Sequence, residues 1–292
     1  MDKKQNALAY SFIAPALILI TLFFIYPMLY TFYISFHTWD GLSASLTYVG
    51  LDNYAAMLHD QELGQTLKNT LVFTLGSVPT SIGLALFLAV LLDRDIKGRG
   101  VFRTVFFTPV VTSFVAGGLV FVWLLNTDSG FVNHVLGWFG LDPVNWLQSS
   151  PWAMISVILM TIWKNAGYYM VIFLAGLQSI PSAYYEAASL EGAGSGWKGF
   201  RYITWPLLKP TTLFVTVISL IFTFRAFEQV FVMTKGGPLG TTKVLVYYIY
   251  EQAFKLFNMG YAAAVSVILL LLVLILAFVQ FKVLDENDPQ YH

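Results

Sequence analysis

Charged residues divide this chain into long apolar intervals, and the lengths of those intervals predict its elements. A helix needs about 20 predominantly apolar residues to cross a hydrocarbon core about 30 Å thick. Six intervals reach that length: residues 8–36, 69–92, 104–125, 151–177, 211–231 and 261–281. The fourth contains Lys164 and the fifth contains Arg225 and Glu228. The first is too long, and too rich in Tyr and Phe at its far end, for a cleaved signal peptide, so it is expected to be an uncleaved span. Pro15, Pro27, Pro79 and Pro109 fall within or beside spans. In lipid such prolines are expected to kink helices and not to end them, because neighbouring helices re-satisfy the freed carbonyls.

Composition agrees with this pattern. The chain has 292 residues, 57% hydrophobic and 11% charged, against roughly 25% charged in an ordinary soluble protein. It should therefore be solvated mainly by lipid. The formal net charge is zero, which gives no electrostatic footprint for nucleic acid and no acidic tail. The distribution of charge says more. With the amino terminus inside, ten of the sixteen basic residues fall on inner segments: Lys3, Lys4, Arg94, Lys97, Arg99, Arg103, Lys198, Arg201, Lys209 and Lys282. Two long outer stretches, 37–67 and 126–150, hold none. That asymmetry is the positive-inside pattern, and six spans then put both termini in the cytoplasm. Cysteine is absent, so disulfides, thiolate nucleophiles and cysteine-ligated metals are excluded.

The longest inner loop, 178–209, reads QSIPSAYYEAASLEGAGSGWKGFRYITWPLLK. Pro181 and Ser182 are helix-start signals, Glu186 falls early where the helix dipole favours an acid, and Gly192 is a stop. Tyr184, Ala187, Ala188 and Leu190 fall on one side at helical spacing. Small alanines there let another protein surface approach closely. The competing reading is a helix lying on the membrane interface.

Ionisable residues at membrane depth are costly, so they are candidate functional groups by default. Lys164, followed by Asn165, is expected to face a water-filled path, a partner carboxylate or backbone oxygens. Arg225 and Glu228 are three apart and expected on one helical face, where they either pair or touch cargo. Tyr168, Tyr169, Phe224 and Phe227 are aromatic neighbours able to stack on sugar faces or simply to pack. The candidate path is thus Lys164, Asn165, Tyr168, Arg225, Phe227 and Glu228. No G-x-x-x-x-G-K-[ST] phosphate loop occurs, and the Gly-rich run 237–243 lacks its Gly-Lys pair, so no ATP site is expected in this chain. The four histidines are scattered without ligand spacing, so neither a metal site nor a catalytic constellation is expected. An ion-coupled secondary transporter is the main rival, against which stand the lack of a convincing inverted repeat and the few acids at depth.

Glu186-Ala187-Ala188, Glu191-Gly192-Ala193, Phe200, Ile203, Pro206 and Pro210 resemble the cytoplasmic EAA loop of permease subunits of bacterial ABC importers. The first span and the run VFVMTKGGPLGTTKVLVYYIYEQAF look like the carbohydrate-uptake branch, the maltose- and glycerol-phosphate-type permeases. The family usually has Asp at the position of Glu191 and Leu at that of Trp205. The resemblance implies an all-α membrane protein of six helices with the type I ABC importer permease fold, one permease domain over 1–292 with a coupling loop at 178–210. It implies a bacterial inner-membrane location, a second permease subunit, two ATPase subunits that bind ATP and Mg, and an extracytoplasmic solute-binding protein. Glu186, Ala187, Ala188, Leu190, Glu191, Gly192 and Ala193 would couple to an ATPase, and no cofactor would reside in this chain. Sugars or oligosaccharides are the implied cargo, with anionic cargoes such as uronate oligosaccharides or glycerol phosphate as the alternative.

Overall fold

The computed structural model describes residues 3–94, 96–190, 194 and 196–285. Glu191, Gly192 and Ala193 of the EAA loop therefore lie outside the described residues. In chain order the helices are α1 (Lys3–Ile20), α2 (Tyr26–Ile34), α3 (Asp52–Met57), α4 (Gln61–Asp93), α5 (Arg99–Val111), α6 (Phe114–Leu124), α7 (Phe131–Trp138) and α8 (Trp152–Gln178). They continue as α9 (Ser182–Leu190), α10 (Gly196–Gly199), α11 (Trp205–Leu207), α12 (Lys209–Phe224), α13 (Glu228–Met233), α14 (Leu245–Tyr250) and α15 (Met259–Asp285). Wider π-helical turns at Thr21–Ile25, Phe200–Thr204 and Glu251–Lys255 join neighbouring helices. A two-residue hairpin, β1 (His37–Thr38) against β2 (Thr47–Tyr48), interrupts the helical pattern, with His37 opposite Tyr48.

Four helices are long and apolar enough to cross a membrane, or six spans in all if each of two bent pairs counts as one. The long spans at Ser11–Ile34, Gln61–Asp93, Trp152–Gln178 and Met259–Gln280 match four of the apolar intervals. The third interval is not the single kinked helix the sequence suggests: α5 and α6 meet at 101°. Thr112 and Ser113 are both extended, with ψ of 152°, and Ser113 restarts the helix by accepting from the Ala116 amide at 3.1 Å. The fifth interval also breaks. Its helix α12 ends at Arg225 and α13 begins after Phe227, whose φ and ψ of −142° and −59° are not helical.

The described residues form two compact units, one drawn from within 1–61 and 248–272 and the other from within 62–247 and 273–292. In the first, no residue from 11 to 33 is buried, so this apolar helix is left for lipid or another subunit to solvate. The hairpin is tied down by Asn53, whose amide donates to the Ser35 and His37 carbonyls at 2.9 and 3.0 Å. The α15 start crosses so closely that a Cβ on Gly260 would sit 1.9 Å from the His37 oxygen. The Asp60 carboxylate accepts from the Tyr248 hydroxyl and, at 2.6 Å, from that of Tyr261.

The second unit is built around α8, whose two ends belong to different apolar cores. Met154, Val157 and Met160 pack with Phe73, Val230 and Tyr247. Further along, Tyr169, Met170, Phe173 and Leu177 pack with Ala85, Ala89, Leu208 and Val215. Lys164 lies between the two. On α4, Asn69 donates to the carbonyls of Gly240 and Lys243 at 2.7 and 3.1 Å, and Thr70 accepts from the Leu245 amide at 3.0 Å. These bonds pin the Gly-rich 236–243 turn, helped by an ion pair between Lys243 and Glu62.

Candidate functional site: a cavity at two helix breaks and an exposed loop helix

The cavity begins with a close helix crossing. A Cβ on Gly167 would lie 2.0 Å from the Phe106 carbonyl oxygen, so α5 and α8 touch backbone to backbone because residue 167 is glycine. One turn earlier on α8, the buried Lys164 reaches the end of α5 and donates to the Pro109 and Val110 oxygens at 2.7 and 2.8 Å. Had the helix continued, those carbonyls would accept from the amides of residues 113 and 114. The break removes both donors, and the ammonium replaces them. The Thr112 hydroxyl adds a third donor, to Pro109 O at 2.7 Å. Lys164 Nζ also sits 5.0 Å from the Phe114 ring centroid, a cation–π contact. Of the three expectations for Lys164, backbone oxygens take two of its donors, and an ammonium has three.

Beside this clamp is a cavity of about 430 Å³ lined by Lys164, Asn165, Tyr168, Phe222, Arg225, Glu228 and Gln229, with Val110, Phe114 and Ala226. Five of the six path residues expected from sequence are therefore brought together. The sixth, Phe227, is not in this lining: the backbone turn at 227 sends its ring to Phe231 and Tyr247, with centroids at 5.3 and 6.2 Å. Arg225 and Glu228 do not share one continuous helix, contrary to expectation, because the chain unwinds between them. Among the described residues no ion pair joins them. Tyr168 and Phe222, with ring centroids 6.1 Å apart, make an aromatic wall.

Sequence reasoning missed Gln229. It is 2% exposed, lines the cavity, and its Oε1 has no hydrogen-bond partner among the described residues. An unpartnered buried amide oxygen costs about 1–3 kcal/mol unless water or a ligand meets it. A neutral amide raises no alarm in a charge count, yet a Glu-Gln pair inside an apolar interval was a visible signal.

The loop helix α9 forms as predicted at its start, and none of its residues is buried. Glu186 and Ala187 are exposed, Ala188 is half-buried, and Leu190 is 92% exposed. Its attachment is through Tyr185, whose hydroxyl meets Thr204 Oγ1 at 3.0 Å. The Ser189 hydroxyl donates to the Tyr185 carbonyl at 2.7 Å. Gly194 approaches so near that a Cβ there would clash with the Tyr185 oxygen at 2.6 Å. Exposed Trp197 and Tyr202 extend the uncovered apolar surface beyond the helix.

Long apolar helices broken around a cavity that carries Lys164, Arg225, Glu228 and Gln229, with an exposed loop helix between spans, fit a membrane transport permease. The chain belongs to the binding-protein-dependent transport system inner membrane component family, which it matches over residues 81–286. It is thus a multi-pass inner-membrane protein. It is 39% identical to a probable ABC transporter permease protein of Pyrococcus horikoshii, covering 90% of this chain and 91% of that one. It is 38% identical to the lactose transport system permease protein of Rhizobium radiobacter, over 94% of this chain and 93% of the other. The sn-glycerol-3-phosphate transport system permease protein of Agrobacterium fabrum is 36% identical, over 97% and 96%. A solved bacterial ABC transporter involved in import of the acidic polysaccharide alginate contains a chain that superposes with a TM-score of 0.85 at 25% identity, covering 97% and 96%.

Proposed function

We propose that this chain is one half of the translocation path of an ATP-driven importer for sugars or oligosaccharides. A second permease completes the path, two ATPase subunits bind ATP and Mg on the cytoplasmic side, and an extracytoplasmic binding protein delivers cargo. Six spans, with each bent pair crossing once, put both termini in the cytoplasm, and the basic residues favour that orientation. Glu186, Ala187, Ala188, Leu190, Glu191, Gly192 and Ala193 form the surface that docks on an ATPase. Lys164, Asn165, Tyr168, Arg225 and Glu228, joined by Gln229, meet the cargo, while Phe227 supports them from the neighbouring core.

The observation that carries this reading is the solvent-facing α9, with Leu190 almost fully exposed yet the helix held to the body by Tyr185. An apolar residue so presented suits a protein groove better than water. Support for sugar as cargo comes from the relatives named for lactose and glycerol-3-phosphate transport and from the alginate importer. An acidic sugar is the second reading, favoured by Arg225, which opens to the cavity without an ion-pair partner among the described residues.

The test is ATPase activity in lipid discs, with the chain alone and with its co-purified partners, across neutral and acidic sugars. The reading expects no hydrolysis alone and cargo-stimulated hydrolysis in the complex. A Leu190→Asp variant should assemble but lose stimulation at least tenfold. Solute movement by the isolated chain down an ion gradient, without ATP, overturns it.

A further inference from the structure

At the other end of α5 from the cavity, two cations meet one neutral oxygen. Arg99 and Arg103 are one turn apart, and Gln178 ends α8. With its amide oriented to satisfy both, the Gln178 oxygen accepts from Arg103 Nη2 at 3.0 Å and from Arg99 Nη2 at 2.8 Å. The Nε atoms of both arginines are buried and have no partner among the described residues. Neither arginine has an ion-pair partner there; Asp95, one turn before Arg99 in sequence, lies outside the described residues. Like charges converging on a single dipole repel each other, and an unmet buried donor is costly. One bound anion relieves the repulsion without having to reach the buried Nε atoms, and a phosphate has the oxygens to accept from the other nitrogens of two guanidinium groups.

The surroundings select the source of that phosphate. Phe102, three residues after Arg99 and next to Arg103 in sequence, is 47% exposed on the adjoining side of α5, whereas the exposed Val101 and Val105 lie round the opposite face of the helix. A free phosphate ion has no use for that apolar flank, whereas a lipid places its headgroup in the fork and an acyl chain along it. We propose that Arg99 and Arg103 form a binding site for the phosphate of an anionic phospholipid in the inner leaflet. The leaflet assignment rests on the membrane orientation given above. The site fixes one end of α5, whose other end is clamped by Lys164 at the cavity, and basic sites between spans on the cytoplasmic side commonly hold anionic headgroups.

Native mass spectrometry of the full chain in detergent tests this, with phosphatidylglycerol and phosphatidylcholine of equal acyl length offered in competition. Wild type should retain one phosphatidylglycerol with a preference of roughly 30-fold, each arginine near an anionic surface being worth about a factor of five. R99Q/R103Q should bring that preference close to unity, and Lys68→Gln, on the other side, should leave it intact. If the double variant does not fold, Arg103→Lys keeps the charge but loses the fork, and should reduce the preference several-fold. Equal preference in all variants overturns the site. So does inorganic phosphate binding with no selection between lipids, or a preference that arises only in Asp95→Asn. A chain that partitions away from membranes altogether sinks the orientation reading instead, a result scored separately by membrane fractionation.

Discussion

Replacing Lys164 by methionine keeps the length and apolar stem of the side chain and removes only its ammonium. The structure says what is then exposed: two carbonyl oxygens, of Pro109 and Val110, that currently accept at 2.7 and 2.8 Å. An unmet buried carbonyl costs about 1–3 kcal/mol, less for the part-buried Val110 oxygen at the cavity edge, and a bond to a charged donor contributes about 1.5–3. Part of this is returned because a cation no longer has to be kept out of water. Thr112 still serves Pro109. The balance is a loss of about 2–3 kcal/mol, a 30- to 150-fold shift in the folded-to-unfolded ratio. The assay is reversible denaturant unfolding of the purified chain in mixed micelles, followed by tryptophan fluorescence. Lys164→Met should lose this amount, and Lys164→Arg, which keeps the donors but adds bulk, should lose less. A Lys164→Met chain within about 0.5 kcal/mol of wild type would refute the view that the ammonium replaces the amides lost at the bend.

Gly167→Ala should destabilise by about 1–3 kcal/mol or more, since its methyl would meet the Phe106 oxygen; the same unfolding assay reads it, and a neutral result would mean that α5 and α8 separate freely. Arg225→Gln should reduce uptake of acidic sugars at least tenfold while sparing neutral ones, measured as uptake by liposomes carrying the whole complex; equal loss for both classes would point to a packing role. In the loop after α2, Asp40 accepts from the amides of Ser43 and Leu42 at 2.8 and 2.9 Å and from the Ser43 hydroxyl. The Ser43 amide chiefly, then that of Leu42, holds the carboxyl below its ordinary value of 3.8. A depressed carboxyl stabilises its loop above the ordinary value and loses that contribution as pH falls through the lower folded one. Amide exchange at Leu42 and Ser43 should therefore stay protected at pH 4 and open at lower pH.

Interval length and charge count made the spans legible, because lipid enforces both regardless of tertiary detail. The breaks were not. Pro109 was visible, yet the chain leaves the helix three residues later, at Thr112, where extended backbone is tolerated because Lys164 arrives from a residue 52 positions further along to serve the carbonyls. No local pattern carries that information. Arg225 and Glu228 both reach the cavity, but helical spacing does not relate them because the segment between them unwinds. Of the aromatics that sequence groups together, Tyr168 lines the cavity, Tyr169 is buried in the core, and the backbone angles at Phe227 send its ring elsewhere. The α9 helix was readable from Ser182 and Pro181 because start signals are local. Its attachment through Tyr185 to Thr204 was not, since a tyrosine beside an exposed tyrosine gives no sign of which one faces inward.

The bend between α5 and α6 leaves part of the cavity edge made of main-chain atoms and a clamp, and substitution cannot recolour a carbonyl. Evolutionary retuning of such a permease therefore has a fixed floor and a variable wall. Tyr168, Phe222, Arg225 and Gln229 stand on that wall, and under the function proposed above they are the side chains to vary with the cargo. Lys164 holds the carbonyls of that floor and Gly167 lets α5 approach α8, so a library that spares those two and randomises the four should yield altered cargo range among chains that still fold.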